Sequence, residues 1–198
     1  MTREPILAYV QTLRADAYKR GLPVMREETA RKLFETVRDK GAKRVLDVGT
    51  CVGVSALTAI AAGADRVTTL EKDETRLWEA KEHFARCGVT ECVTTVPGDC
   101  TETLSYLDGN TYDLIVLDGP KSTLSAQFER CLAMLPSGGV IFIDDVLYHG
   151  YVRGEGAPHK QRTIITNLRR FLSELSADTR VKTTFYEEED GFAVVEKK

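Results

Sequence analysis

The 198-residue chain has only three histidines and one tryptophan, and its five cysteines form no C-x-x-C pair. That excludes zinc-finger and thioredoxin-like arrangements. Cys51, Cys87, Cys92, Cys100 and Cys131 are expected as small buried residues of a reducing cytoplasm. No apolar run is long enough to span a membrane, and Met1-Thr2-Arg3-Glu4-Pro5 does not open a signal peptide, so a cytoplasmic protein without a membrane partner is expected. Internal repeats, low-complexity tracts and dividing linkers are also missing. So is the G-x-G-x-x-G of nicotinamide enzymes, because Cys51 stands where their second glycine lets pyrophosphate approach. What remains is one domain, residues 1–198, with a substantial core.

Acids at the ends of apolar runs carry the information. Asp113–Leu117 and Gly139–Ile143 read as buried parallel strands, ending in Asp118-Gly119-Pro120-Lys121 and Asp144-Asp145. Carboxylates there lie at the carboxyl edge of the sheet, where open α/β folds bind ligands. Asp118, Asp144 and Asp145 could together hold one hard cation such as Mg²⁺, or serve as solvated loop acids. Another strand, Arg44–Val48, leads through Gly49-Thr50-Cys51-Val52-Gly53 into an apolar helix ending at Ala62. Gly49 permits a sharp turn and a close ligand, and Gly53 opens the helix whose free N–H groups face the site. Glu71, at the end of Arg66–Leu70, is placed to accept from ribose hydroxyls. Gly98-Asp99-Cys100 closes the strand Cys92–Val96. Together these indicate a nucleoside-containing cofactor.

The chain here resembles the class I S-adenosylmethionine methyltransferases, in the metal-dependent branch of catechol and caffeoyl-CoA O-methyltransferases. It is most similar to short bacterial members, which include the tRNA 5-hydroxyuridine methyltransferases. The resemblance runs from about Pro23 to the C-terminus. It is carried by the glycine loop Asp47–Ser55, Glu71, Gly98-Asp99, the D-x-x-K of Asp118–Lys121, the acidic pair Asp144-Asp145 and the closing Asp190–Val195. It implies S-adenosylmethionine bound by Asp47, Gly49, Thr50, Gly53, Ser55, Glu71, Lys72, Asp99, Cys100 and Asp118. It further implies Mg²⁺ or Mn²⁺ on Asp118, Asp144 and Asp145, and Lys121 as general base if the positive charges of metal and sulfonium depress its pKa, the alternative being a lysine that only pairs with a neighbouring carboxylate. The family usually has Asp-Asn where this chain has Asp144-Asp145, which adds a negative charge and blunts the cation's power to acidify a hydroxyl.

Two helices come first, Thr2–Arg20 and Arg26–Lys40, joined at Gly21-Leu22-Pro23; this N-terminal segment, residues 1–43, is expected to cap the site. Strands and helices then alternate. One helix is capped by Asp73, the next opens at Ser122, and the last carries Ile164, Ile165, Leu168, Phe171, Leu172 and Leu175. Val181–Glu187 and Phe192–Glu196 form a hairpin at Asp190-Gly191. The expected architecture is α/β: a doubly wound, mostly parallel seven-stranded Rossmann-like sheet with a C-terminal antiparallel hairpin.

The net charge of −3 is uneven: residues 1–44 hold 11 Lys/Arg against 6 Asp/Glu, and residues 45–150 hold 7 against 16. Arg153, Lys160, Arg162, Arg169 and Arg170 face only Glu155 across residues 153–170. Such a stretch could guide an anionic substrate such as RNA or a CoA ester, or be an ordinary solvated surface. On the helix after Glu71, packing is expected to explain Trp78 and solvent exposure His83. Met25 packs or lines the cofactor pocket, His159 belongs to the basic surface, and Tyr148 and His149 could reach a substrate.

Methyl transfer from a sulfonium needs a deprotonated oxygen held in line with the methyl carbon. The leading acceptor is the wobble 5-hydroxyuridine of tRNA, with a small catechol or phenol as the alternative; a homodimer is possible. From other classes, the glycine spacing disfavours an oxidoreductase, and D-x-x-K with the acidic pair disfavours a non-catalytic cofactor-binding module.

Overall fold

A computed structural model of the chain describes residues 3–154 and 158–198. Its sheet is built by β1 (Arg44–Val48), β2 (Arg66–Glu71), β3 (Val93–Pro97), β4 (Leu114–Leu117), β5 (Val140–Asp144), β6 (Val181–Tyr186) and β7 (Phe192–Lys197). Their order is β3-β2-β1-β4-β5-β7-β6, with β7 antiparallel to both neighbours and the first five strands parallel. The expected sheet and hairpin are both present.

Among the described residues seven α-helices cover the two faces: α1 (Arg3–Lys19), α2 (Glu27–Lys40), α3 (Val54–Ala62), α4 (Glu74–Arg86), α5 (Cys100–Thr103), α6 (Leu124–Ala133) and α7 (Arg162–Ala177). The strands' two-residue period divides the core. Val45, Leu114, Val116, Val140 and Phe142 pack with Leu13, Leu33, Val37 and Ala59 of α1–α3. Leu46, Ile115, Leu117, Ile141 and Ile143 face the other way, onto Phe128 and Cys131 of α6 and Leu168 and Phe171 of α7. Burial on both faces explains why these strands read as unbroken apolar runs.

Strand order reverses between β1 and β4, which opens a crevice at their carboxyl ends. Gly49 makes that crevice possible. It turns at φ +108, and a Cβ there would stand 2.7 Å from the backbone oxygen of Asp118. The N-terminal helices are fastened over the crevice from far along the chain. The N-cap position of α2, Arg26, makes no side-chain cap bond. Instead the Glu189 carboxylate, in the β6–β7 turn, accepts from the backbone N–H groups of Glu28 (3.2 Å) and Thr29 (3.1 Å) and from Thr29 Oγ1 (3.0 Å).

The structure exchanges two expectations on α4. Trp78 is 63% exposed and His83 only 9%. His83 points inward because Tyr9 Oη of α1 lies 2.6 Å from its Nδ1, a polar bond at the α1–α4 contact that indole could not make in this way. Ser122 falls in a 3₁₀ turn, Lys121–Thr123, with α6 beginning at Leu124. Thr2, the predicted start of the first helix, and Glu155 of the basic stretch lie outside the described residues.

Candidate active site

Two adjoining cavities occupy the crevice, and Pro23 and Asp118 line both. The first, of about 260 Å³, is also bounded by Gly49, Cys51, Leu70, Glu71, Lys72, Arg76, Gly98, Asp99, Cys100, Gly119 and Pro120. Six of the residues expected to bind cofactor are brought together there: Gly49, Glu71, Lys72, Asp99, Cys100 and Asp118. Glu71 is pinned by backbone N–H groups, with Cys51 N 2.8 Å from Oε2 and Asp73 N 2.9 Å from Oε1. Each oxygen retains a lone pair for a ligand hydroxyl. Asp99 Oδ1 caps α5 through the Thr101 backbone N–H and hydroxyl, and those bonds hold its carboxyl below the usual range. Burial pushes the Cys51 and Cys100 thiols up to about 11, which keeps them protonated rather than nucleophilic.

Asp47, Thr50, Gly53 and Ser55 are not among the residues that line this cavity. They build the loop behind it. Asp47 is fully buried and accepts from Thr69 Oγ1 at 2.7 Å, while Thr50 Oγ1 bonds the same threonine hydroxyl. Burial lifts the Asp47 carboxyl to about 7 against the bonds from Thr69 and Ser55, and its Oδ1 has no partner. Gly53 sits at φ +92, where a Cβ would meet the Phe84 ring at 2.7 Å.

The second cavity, of about 560 Å³, is lined besides by Tyr18, Gly21, Leu22, Val24, Arg26, Thr29, Asp144, Asp145, His149 and Asp190. The three acids expected to bind metal therefore border one space. They are not gathered into a shell: among the described residues no group of three His, Cys, Asp or Glu side chains is placed to hold a metal ion. The Lys121 ammonium lies beside them, 3.0 Å from Asp118 Oδ1 and 2.9 Å from the Asp144 carbonyl oxygen. Asp144 Oδ1 accepts from its neighbour's backbone N–H at 2.7 Å, and Asp145 Oδ1 is buried without a partner. Burial, then repulsion from Asp118, holds the Asp144 carboxyl well above its usual range, and burial lifts Asp145 to about 6 against the pull of Lys121. Hard oxygen donors, one of them an orphan, match a divalent cation in chemistry if not in present arrangement.

Without metal or sulfonium charge beside it, Lys121 shows the pairing with a neighbouring carboxylate that the sequence also allowed. Burial opposes its charge, but Asp118, Asp145 and Asp144 prevail and raise it above the usual lysine range. In this state it is an ionised partner of Asp118, and it lines neither cavity. Of the loop residues, His149 reaches the second cavity, whereas Tyr148 packs against the core. Asp145, Tyr148 and His149 all adopt left-handed backbone, at φ 55, 46 and 55, a conformation these side chains visit at a cost. Met25 is buried and lines neither cavity.

Sequence reasoning missed Arg76 in the first cavity, and Tyr18, Leu22, Val24, Arg26, Thr29 and Asp190 in the second. Arg76 was within reach of sequence, since Asp73 caps α4 through Arg76 N and so turns the helix's first residues to the site. The second set belongs to no local motif.

The sheet thus carries one cavity at the strand reversal and an acid-lined cavity beside it. A family model described as O-methyltransferase matches residues 4–198. The Dictyostelium discoideum protein called probable caffeoyl-CoA O-methyltransferase 1 is 30% identical over 162 residues, 79% of this chain and 70% of its own length. Catechol O-methyltransferase domain-containing protein 1 of Mus musculus is 28% identical over 203 residues, 100% of this chain and 76% of that one. A crystal structure of a Staphylococcus aureus protein, provisionally named a caffeoyl-CoA O-methyltransferase, matches with a TM-score of 0.89 at 25% identity, over 96% of this chain and 92% of that one. The chain belongs to the O-methyltransferase family and is an S-adenosylmethionine-dependent O-methyltransferase.

Proposed function

We propose that the protein methylates one of two vicinal hydroxyls on a small catechol-type acceptor. One observation carries this reading: the cofactor cavity and the acid-lined cavity meet at Asp118 and Pro23, so the two ligands share a wall. Glu71 and Asp99 hold the nucleoside, and Gly49 lets the methionine part lie against the backbone. The acceptor lies among Tyr18, Leu22, Pro23 and Val24, which shed water and set its ring, while its oxygens turn to the acids. A divalent cation, when bound by Asp118, Asp144 and Asp145, would supply Lewis acidity to those oxygens and neutralise the carboxylates that keep Lys121 protonated. Lys121 Nζ, its own proton first released to solvent, takes the hydroxyl proton, and the oxygen attacks the methyl carbon as the carbon–sulfur bond breaks and leaves its electron pair on the thioether sulfur.

The basic stretch supports the small acceptor over RNA. Arg153 pairs with Glu187, Arg169 donates to the carbonyls of Tyr151, Val152 and Gly154, and Arg170 pairs with Glu174. None of the five basic side chains of the stretch lines the acceptor cavity among the described residues. The test is methyl transfer from labelled S-adenosylmethionine to a catechol panel and to total tRNA, with and without chelator. Catechols should be methylated, chelator should stop turnover, and Mg²⁺ or Mn²⁺ should restore it. Methylation of tRNA alone would replace the acceptor, and full activity in chelator would remove the cation.

A further inference from the structure

One wall of the acceptor cavity has no part in the methyl-transfer chemistry. Arg26 and Asp190 both border it, with the guanidinium Nη2 2.7 Å from Asp190 Oδ2. His149 stands on the same wall, its Nδ1 3.8 Å from Asp190 Oδ1. Asp190 is the one side-chain partner of Arg26 among the described residues, and it engages one nitrogen of a planar group that has five N–H donors. The Arg26 side chain remains 39% exposed at the cavity edge.

The backbone that carries Arg26 is also anchored. Arg26 immediately precedes α2, whose first N–H groups are held by Glu189, and Asp190 is the next residue of that same turn. The cation and its brace are thus fixed together, which lowers the entropy lost on binding a ligand. Elsewhere this cavity presents the carboxylates of Asp118, Asp144 and Asp145, which repel an anion. Arg26, with His149 beside it, marks the place where a negative group is accommodated.

We propose that Arg26, braced by Asp190, is a specificity-determining residue that reads a carboxylate on the acceptor, making the substrate a vicinal-dihydroxy aromatic acid. This rests on the catechol reading above. A guanidinium fork matches a carboxylate better than it matches any neutral substituent. Anchoring the acid at Arg26 turns the hydroxyls toward Asp118, Asp144 and Asp145, and an unsymmetrical ring then offers one hydroxyl to the methyl group in preference to the other.

The test compares kcat/KM for catechol, 3,4-dihydroxybenzoate and 3,4-dihydroxybenzylamine on the full chain with S-adenosylmethionine. The carboxylate should be favoured about tenfold or more over catechol, the scale of one charge-assisted hydrogen bond, with the amine last. Arg26→Gln should bring the carboxylate-to-catechol ratio to within about threefold of one, on the same scale. Asp190→Asn, which frees the guanidinium, should raise that ratio, and it decides the matter alone if Arg26→Gln does not fold. Equal use of the three acceptors, preference for the amine, an Arg26→Gln loss common to all three, or an unchanged or lower ratio in Asp190→Asn would each overturn the assignment. Turnover without charge preference defeats this inference alone. No turnover of any of the three, with S-adenosylmethionine still bound by calorimetry, defeats the catechol reading and this inference with it.

Discussion

The two cavities share a wall but are built by different means. The cofactor cavity is made of strand ends and the turns that leave them: Gly49 after β1, Glu71 ending β2, Asp99 after β3 and Asp118 after β4. Glu71 and Asp99 are set by backbone N–H groups within a few residues or one strand away, and Asp118 by the Lys121 ammonium three residues on. The acceptor cavity borrows its walls from the α1–α2 joint, the β6–β7 turn and a loop after β5 with three residues in left-handed backbone. Its parts are held by pairs from opposite ends of the chain, Glu189 with Thr29 and Asp190 with Arg26. One half is a product of the sheet and the other of docking against it.

Substitutions should separate the halves. The largest effect is expected at Lys121, which belongs to neither wall. Lys121→Met should lower single-turnover methylation on the order of 10²–10⁴-fold while S-adenosylmethionine affinity, by calorimetry, changes little. Normal turnover would make Lys121 an ion-pair partner only. Next, Glu71→Ala should weaken S-adenosylmethionine binding roughly tenfold or more, leaving acceptor KM at saturating cofactor nearly unchanged. If both constants move together, the halves are not independent.

Glu189→Ala tests the converse. Removing a helix cap costs about 0.5–2 kcal/mol, so acceptor KM should rise several-fold with cofactor affinity intact, and Glu189→Gln, which keeps an acceptor oxygen, should fall between. A loss of cofactor affinity as large as the rise in KM would show the clasp serving the whole fold. The smallest effect concerns Asp47, behind the cofactor wall. Burial raises its folded pKa to about 7, so its contribution to stability is full below the unfolded pKa near 3.9 and is lost as pH rises through about 7. The slope is at most about 1.4 kcal/mol per pH unit, and Asp47→Asn should flatten the fall in denaturation midpoint between pH 5 and pH 7.5. Parallel slopes in the two proteins would mean that Asp47 is not the group titrating.

The same division decided what could be read in advance. Apolar runs ending in Asp118, Glu71 and Asp144 disclosed strands, their edge and the cofactor side, because these features are local in sequence. Asp190 was legible as a turn residue, but its pairing with Arg26 depends on two distant segments meeting, which no periodicity encodes. The direction of the Lys121 pKa was not legible for a related reason: the motif names the residue, while the balance between burial and three carboxylates exists only once β4 and β5 lie side by side. Trp78 and His83 were exchanged because polarity alone predicts neither side's partner, and Tyr9 supplies one from α1.

The Glu189 clasp also sets an order of events during synthesis. Thr29 and the carboxylate that fastens it are 160 residues apart. At about 5–20 residues per second, roughly 10–30 s pass between translation of the two. Throughout that interval the strands of the cofactor half can pair, β1 with β2 and then β4, while the acceptor wall waits unfastened for the β6–β7 turn to emerge. A nascent chain stalled before Glu189 should therefore hold S-adenosylmethionine before it can hold an acceptor.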